Sequence, residues 1–212
     1  MTKESLIKYW QESNLIKNKR LIEAFREIPR EKFVLEEYIE RAYLDAPLPI
    51  LKGKTISQPT TVMIMLDAHK LKKTDVVLEI GSGSGYNSAL LSNLVKHVYS
   101  IEYIQELADF AKENLKKLNI KNVTIIHGDG SQGYREKALY DKIIITAACP
   151  RIPQPLIEQL KENGIVVAPV GPRYEQKLVK GIKKKGKLLM RELGGFMFVP
   201  LKGKYSYQIE TN

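Results

Sequence analysis

The sequence is poor in the residues that build disulfides and metal sites. It contains a single cysteine, Cys149, so no internal disulfide can form, and such a chain suits a reducing compartment. The histidines, His69, His97 and His127, are scattered, and with one cysteine they match no usual spacing of zinc ligands. We therefore predict that the protein has no metal site.

Long apolar runs are also missing. No stretch approaches the roughly 20 apolar residues that a membrane-spanning helix needs. The N-terminal segment MTKESLIKYWQE carries charges where a signal peptide has an apolar core. These two absences predict a cytoplasmic protein without a membrane partner. Hydrophobic and charged residues make up 43% and 27% of the chain, proportions that are typical of a globular protein.

Acidic residues are outnumbered by basic ones, 24 to 34, which gives a net charge of +10. A strongly basic protein can bind nucleic acid. However, the basic residues are spread along the chain, and the one dense run, Lys183–Lys187 (KKKGK), lies between two strand-like segments. A solvated hairpin turn accounts for such a run, so the charge does not favour a nucleic-acid substrate.

One stretch, Val76–Tyr86 (VVLEIGSGSGY), has the pattern of a cofactor-binding loop. Its apolar first half predicts a buried parallel strand. Gly81, Gly83 and Gly85 then let the backbone turn sharply and approach a ligand without a Cβ in the way. Helical spacing resumes at Asn87, so the loop leads into a helix N-terminus. Strand, loop and helix together form the usual cofactor site at the carboxyl edge of an α/β sheet.

The details of this loop distinguish between cofactors. A dinucleotide fingerprint needs glycine at the first, third and sixth loop positions, and the sixth position here is Tyr86. Glu79 precedes the loop, and Glu102 ends the next predicted strand, where it can accept hydrogen bonds from ribose hydroxyls. EIGSGSG followed by a strand-end glutamate resembles the S-adenosylmethionine (AdoMet) methyltransferases. A nicotinamide site and a glycine turn without a ligand are the alternatives.

A third acidic residue follows the next core strand. Asp129 lies between Gly128 and Gly130. A carboxylate at this place can accept a hydrogen bond from an adenine amino group. The alternative is an Asx-type turn, in which the side chain bonds to its own backbone.

Strands and helices alternate regularly from residue 76 onward, which predicts a parallel, doubly wound α/β sheet. Two further strands, Gln176–Lys183 and Lys187–Leu201, are predicted to be antiparallel and joined by the lysine-rich turn. The predicted core strands are 76–81, 97–102, 122–127, 141–146 and 165–170, and the predicted helices are 86–95, 104–118 and 153–162.

The first part of the chain is predicted to be helical over residues 1–45, with a second helical piece from about Arg30 to Ala42. Ala42–Pro59 contains three prolines and reads as an ordered loop. A helix follows from Thr60 to His69, with Ser57 or its neighbour as the N-cap. Because no repeat or linker marks a boundary, we predict one domain over residues 1–212. It would consist of a helical cover with the active-site loop (1–75), a cofactor-binding core (76–170), and C-terminal strands and tail (171–212).

Several segments make the resemblance more specific. They are Ala42–Ile50 (AYLDAPLPI), Thr55–Pro59 (TISQP), Val77–Tyr86, Gly128–Gly130, Ile144–Ala148, Pro155–Leu160, Pro169–Gly171 and Phe198–Leu201. In the order and spacing of these segments, from about residue 20 to 203, the chain resembles the protein-L-isoaspartate (D-aspartate) O-methyltransferase family. TISQP is the most distinctive segment, and where that family more usually has a glycine–glutamine pair before TIS, this chain has Lys52-Gly53-Lys54.

The resemblance implies a class I AdoMet-dependent methyltransferase, with a Rossmann-like, mostly parallel sheet, that repairs damaged proteins. Such an enzyme methylates the α-carboxyl of L-isoaspartyl residues, leaving S-adenosyl-L-homocysteine (AdoHcy), and the ester collapses to a succinimide that reopens partly to aspartate. Its partners would be isoaspartyl peptides and proteins. The family's active-site serine maps to Ser57. From the loop pattern and the resemblance together, we predict cofactor contacts at Thr55, Ile56, Glu79, Gly81, Ser82, Gly83, Glu102, Asp129 and Gly130.

Two other functions stay open at this point. One is an AdoMet-dependent methyltransferase that acts on RNA or a small molecule, and the other is a non-catalytic AdoMet-binding protein. Amino-group methyltransferases of nucleic acids usually carry an acidic or Asn–Pro–Pro–aromatic signature after the fourth strand. Thr146–Pro150 (TAACP) stands there instead, which argues against that class.

Overall fold

The computed structural model describes residues 1–207. Its N-terminal region contains two short capped helices. Thr2 is the N-cap of helix α1 (Lys3–Glu12), because its side chain accepts the Ser5 N–H. Asn18 caps α2 (Lys19–Glu27) in the same way. The apolar faces of the helices meet where the rings of Trp10 and Phe25 pack edge to face, with centroids 4.7 Å apart.

The predicted helical piece from Arg30 to Ala42 is not an α-helix. It consists of two 3₁₀ segments, Arg30–Lys32 and Glu36–Arg41, separated by an extended Leu35. Pro29 explains the break, because the residue before a proline is disfavoured in the α conformation, and Ile28 is accordingly extended. The prediction of helix over this segment is therefore wrong.

A small ribbon and a helix lead into the core. Strands β1 (Leu48–Pro49) and β2 (Thr55–Ile56) pair antiparallel inside the predicted loop, and α3 (Pro59–Ala68) follows. The N-cap of α3 is Gln58, which provides no side-chain capping bond. Asp45 caps the helix from outside, because its Oδ1 accepts the Thr60 N–H at 2.9 Å. A residue distant in sequence therefore supplies the cap.

The predicted alternation of strands and helices is confirmed in the rest of the chain. Within the sheet the strand order is β5-β4-β3-β6-β7-β8-β9, with β3 to β7 parallel and the last two strands antiparallel. The elements are β3 (Val76–Ile80), α4 (Tyr86–Ser92), β4 (His97–Glu102), α5 (Gln105–Lys117), β5 (Val123–His127), β6 (Tyr140–Ile145), α6 (Gln154–Gln159), β7 (Leu160–Val170), β8 (Gln176–Lys184) and β9 (Lys187–Phe196).

This strand order creates a switch point at β3. The chain runs outward from β3 to β5, returns to pair β6 with the other side of β3, and then continues outward. Ligands of open α/β sheets bind beyond the carboxyl ends of the strands at such a point. Successive residues of β3 face opposite layers: Val77 packs into the core under the N-terminal helices, and Leu78 and Ile80 pack into the core on the other side.

Two predicted boundaries at the C-terminal end of the chain are wrong. Strand β7 begins at Leu160 rather than at 165, because a register shift lets Leu160 pair with Tyr140 before Ile165 pairs with Lys142. Strand β9 ends at Phe196 rather than at 201. The residues after Phe196 leave the sheet edge and form part of the site described below. Residues 208–212 of the predicted tail lie outside the described residues.

None of the helices within residues 1–207 is both long enough and apolar enough to cross a bilayer. In the same part of the chain, no group of three or more histidine, cysteine or acidic side chains is arranged to hold a metal ion.

Candidate active site

A cavity of about 690 Å³ lies at the carboxyl ends of β3 and β4, at the switch point of the sheet. Small-molecule and cofactor sites usually have volumes of about 300–1,000 Å³. Most of its lining comes from four parts of the chain: the glycine loop, the end of β4 with the start of α5, the β2–α3 segment, and residues 195–202. Pro47, Gly130, Thr146 and Ala147 complete it. The site therefore joins elements that are far apart in the sequence.

The glycine loop is held by both neighbouring strands. The Gly81 N–H donates to the Ile101 carbonyl at 2.8 Å, and Thr146 Oγ1 lies 2.7 Å from the Gly81 carbonyl and 2.9 Å from that of Ile80. Gly81 has φ +93°, and a Cβ there would lie 2.5 Å from Thr146 Oγ1. Only glycine fits this position without moving its neighbours.

Glu102 joins this loop to the start of α5. Its Oε2 accepts the Gly83 N–H at 3.0 Å, and its Oε1 accepts the Ile104 N–H at 3.1 Å. The residue is 6% exposed and lines the cavity. A carboxylate has about four acceptor positions, so each oxygen can accept a further hydrogen bond from a ligand.

Glu79 does not line the cavity, although it belongs to the predicted cofactor-binding set. It is fully buried behind the loop, where its carboxylate accepts hydrogen bonds from Asn87 Nδ2 at 2.7 Å and from Ser88 Oγ. Burial raises the pKa of Glu79 above its usual range. Asn87 does line the cavity, so Glu79 can influence a ligand only through such neighbours.

Asp129 also lies off the cavity wall, and it forms the Asx-type turn that was the alternative interpretation. Its carboxylate accepts bonds from the Ser131 N–H (2.9 Å), Ser131 Oγ (2.6 Å), Gln132 Nε2 (2.9 Å) and the Lys204 N–H (2.9 Å). Burial opposes ionisation, but these hydrogen bonds outweigh it and lower the pKa of Asp129. Asp129 thus attaches the C-terminal segment to the end of β5.

The β2–α3 segment forms the wall that faces the glycine loop, and it contains Thr55, Ile56 and Ser57. The Ser57 hydroxyl makes no hydrogen bond to any residue between 1 and 207. It is not needed as the cap of α3, since Asp45 has that role. The Ser57 carbonyl accepts a bond from Arg30 Nη2 at 2.8 Å. The side chain is therefore available to a ligand while the backbone is held from behind.

Eight of the ten predicted site residues thus line one cavity, and Glu79 and Asp129 support it from outside. Sequence reasoning assigned no role in the site to Tyr103 or Lys202, which meet at the cavity with the Lys202 Nζ 5.9 Å from the Tyr103 ring centroid. Phe198–Leu201 also lines the cavity, although the sequence predicted it as the end of a strand and as part of the resemblance, with no role in the site. The predicted members of the wall are Thr55, Ile56, Ser57, Gly81, Ser82, Gly83, Glu102 and Gly130.

No histidine lines the cavity, and all three histidines lie within the described residues. His69 is buried, with its ring nitrogens 2.7 Å and 3.0 Å from the carbonyl oxygens of Met65 and Ile143. Burial raises the pKa of Tyr86, which lines the cavity, well above its usual value. Neither a histidine nor an ionised Tyr86 is therefore available at the cavity wall as a base.

Comparisons with known proteins agree on one family. The sequence model described as protein-L-isoaspartate(D-aspartate) O-methyltransferase (PCMT) matches residues 1–206. A protein-L-isoaspartate O-methyltransferase of Pyrococcus abyssi (strain GE5 / Orsay) is 47% identical over 201 residues, which are 93% of this chain and 93% of the relative.

Solved structures give the same result. One protein-L-isoaspartate O-methyltransferase matches with a TM-score of 0.87 and 30% identity, over 96% of this chain and 67% of that chain. A Plasmodium falciparum structure, described as a protein-L-isoaspartate O-methyltransferase in complex with S-adenosyl-L-homocysteine, matches with a TM-score of 0.83 and 28% identity. That match covers 95% of this chain and 99% of the other.

Proposed function

The chain belongs to the protein-L-isoaspartate(D-aspartate) O-methyltransferase family, and from this premise we propose that it methylates the α-carboxyl of L-isoaspartyl residues in damaged proteins. AdoMet is the methyl donor, and the resulting ester begins the repair by collapsing to a succinimide. The observation that carries the proposal is a single cavity that joins the glycine loop, Glu102 and the Ser57 segment without a histidine base. The relatives do not favour an RNA or small-molecule acceptor.

The cavity residues fit AdoMet. The backbone of the glycine loop is open to a ligand, and Glu102 has unused acceptor positions for two ribose hydroxyls. When bound, AdoMet supplies a methyl group activated by a positively charged sulfonium, and AdoHcy remains as the product. We assign Glu79 and Asp129 supporting roles, because neither reaches the wall. The contacts we assign to the cofactor are Thr55, Ile56, Gly81, Ser82, Gly83, Glu102 and Gly130.

The acceptor is a carboxylate that is already ionised at neutral pH, so the protein has no proton to remove. Its contribution is to hold the reacting oxygen in line with the methyl group, and misplacement by about 1 Å can cost on the order of a hundredfold in rate. Ser57 can donate its hydroxyl to the carboxylate. Lys54 and Lys202, which line the cavity, carry positive charges that favour an anion.

The test is methyl transfer from labelled AdoMet to an isoaspartyl peptide and to its aspartyl twin. We expect the isoaspartyl peptide to react on the order of a hundredfold faster, because the aspartyl carboxyls lie at a different distance and angle. The label should be released as methanol in mild alkali, since the product is an ester. Equal labelling of the two peptides, or base-stable label in an RNA sample, would contradict the proposal.

Ser57→Ala is expected to lower the turnover of the isoaspartyl peptide by about 10- to 150-fold, the equivalent of a lost hydrogen bond to a charged group. Its free energy of unfolding should change little, because Ser57 does not cap α3. Asp45→Ala is the matched control, since loss of the observed cap should lower stability by about 0.5–2 kcal/mol. If Ser57→Ala melts early and keeps full activity per folded molecule, Ser57 has no role in catalysis.

We also propose that the protein forms one domain and acts in the cytoplasm. Support for one domain comes from contacts that cross the predicted parts, such as the bond from Arg20 Nη2 to the Leu94 carbonyl at 2.9 Å and the bond from the Lys204 N–H to Asp129. Support for a reducing compartment comes from the cysteine content, because the one cysteine, Cys149, is free.

A further inference from the structure

Arg30 lies behind the acceptor side of the site and is completely buried. Its guanidinium holds two separate segments, because Nε donates to the Ala42 carbonyl at 2.7 Å and Nη2 donates to the Ser57 carbonyl at 2.8 Å. Its backbone N–H donates to Tyr43 Oη at 3.2 Å. Arg30 is thus the buried group that connects the N-terminal cover to the Ser57 segment.

No salt bridge offsets the charge of this guanidinium in the part of the chain that the structure describes. Within residues 1–207, no carboxylate oxygen lies within 4.0 Å of an Arg30 nitrogen. Burial accordingly lowers the pKa of Arg30. The nearby Asp45 is occupied by Thr60, whose N–H and Oγ1 bond to its two oxygens. Burying an unpaired charge is costly, so the bonds that this side chain makes must matter to the fold or to the site.

Arg30 also contacts the cofactor side of the cavity. Its guanidinium carbon lies 5.0 Å from the ring centroid of Tyr86, within the range of a cation–π interaction. Tyr86 is the first residue of α4, directly after the glycine loop, and it lines the cavity. One planar group therefore contacts both the acceptor segment and the element that follows the cofactor loop. Lysine has a point charge and no fork, so it cannot reproduce these contacts together.

We propose that Arg30 is a positioning residue for methyl transfer. It acts through the Ser57 carbonyl and fixes the direction in which the Ser57 hydroxyl points at the acceptor carboxylate. This inference rests on the proposed function, because it assumes that Ser57 holds the acceptor. Arg30 itself does not line the cavity and touches neither substrate.

The experiment compares Arg30→Lys and Arg30→Met with Arg26→Lys, which changes an exposed arginine that pairs with Glu4 and Glu23. AdoHcy binding, measured by calorimetry, counts the folded sites and gives the cofactor affinity. We expect the single-turnover rate per folded site to fall at least about tenfold in both Arg30 variants, because the acceptor is misplaced. AdoHcy affinity should stay within about twofold, less than the loss of one hydrogen bond to a charged group would produce. Arg26→Lys should change neither quantity.

A double-mutant cycle with Ser57→Ala separates positioning from a purely structural role. If Arg30 acts through Ser57, Arg30→Lys should lower the rate less than about threefold in the Ser57→Ala background, since residues that act as a unit are not additive. Additive losses, or an unchanged rate per folded site in both Arg30 variants, would overturn the inference. The proposed function fails separately, through equal labelling of the isoaspartyl and aspartyl peptides by the unmodified enzyme.

Discussion

Gly81→Ala is expected to destabilise the protein by about 2–5 kcal/mol and to abolish tight binding of AdoHcy. The residue has φ +93°, and an L-residue in left-handed backbone conformations costs about 1–2 kcal/mol. Its new methyl group would lie 2.5 Å from Thr146 Oγ1, and overpacking of this kind costs about 1–3 kcal/mol more. Thr146 cannot move freely, because its hydroxyl bonds to the strand-end carbonyls of Ile80 and Gly81.

The measurement is thermal or urea unfolding, together with an AdoHcy titration of the folded variant. Gly186→Ala is the matched control, because Gly186 also has a positive φ of +76° but a Cβ there would meet nothing within 4 Å. It should lose only the conformational part of the stability, about 1–2 kcal/mol, and should bind AdoHcy normally. If the two variants are equally stable, the close contact with Thr146 has no energetic consequence.

Glu102→Ala is expected to weaken AdoMet binding by about 100- to 1,000-fold. Hydrogen bonds to a charged group contribute about 1.5–3 kcal/mol each, and the loss of two at the lower end of this range, about 3–4 kcal/mol, corresponds to about 100- to 1,000-fold at roughly 1.4 kcal/mol per tenfold. The partly buried N–H groups of Gly83 and Ile104 also lose their acceptor, which loosens the cofactor loop. The effect therefore combines lost contacts to ribose with a disordered cofactor loop.

Calorimetry with AdoMet and AdoHcy measures this loss directly. Glu102→Gln should recover part of the affinity, since its amide oxygen can still accept one backbone N–H. Glu113→Ala is the control, because Glu113 is an exposed glutamate on α5 that forms an ion pair with Lys117. Full affinity in a folded Glu102→Ala variant would rule out the ribose contact.

Much of the fold could be predicted from the sequence because its signals are local. Apolar runs bounded by glycine and polar turns predicted the five parallel strands, and the lysine-rich turn predicted the antiparallel β8–β9 pair. The same holds for the cofactor loop, where a buried strand, closely spaced glycines and a helix follow one another within Val76–Ser92. The position of Glu102 at the end of β4 follows as well, since parallel strands end at the same edge.

The partners of polar side chains were decided by the tertiary structure. Glu79 and Asp129 are next to the predicted loops in the sequence. In the structure, however, the Glu79 carboxylate accepts hydrogen bonds from Asn87 and Ser88, and the Asp129 carboxylate accepts them from Ser131 and the distant Lys204. A buried carboxylate bonds to whichever donors the fold brings within reach, and the sequence does not specify them.

The acceptor side shows the same limit. Asp45 caps α3 and Arg30 holds the Ser57 carbonyl, so the Ser57 hydroxyl can face the cavity. Residues 197–201, predicted as the end of a strand, instead line the site. Local periodicity determined which segments became strands and helices. Contacts between residues far apart in the chain determined which side chains the site can use, because hydrogen-bond partners are set by proximity in space.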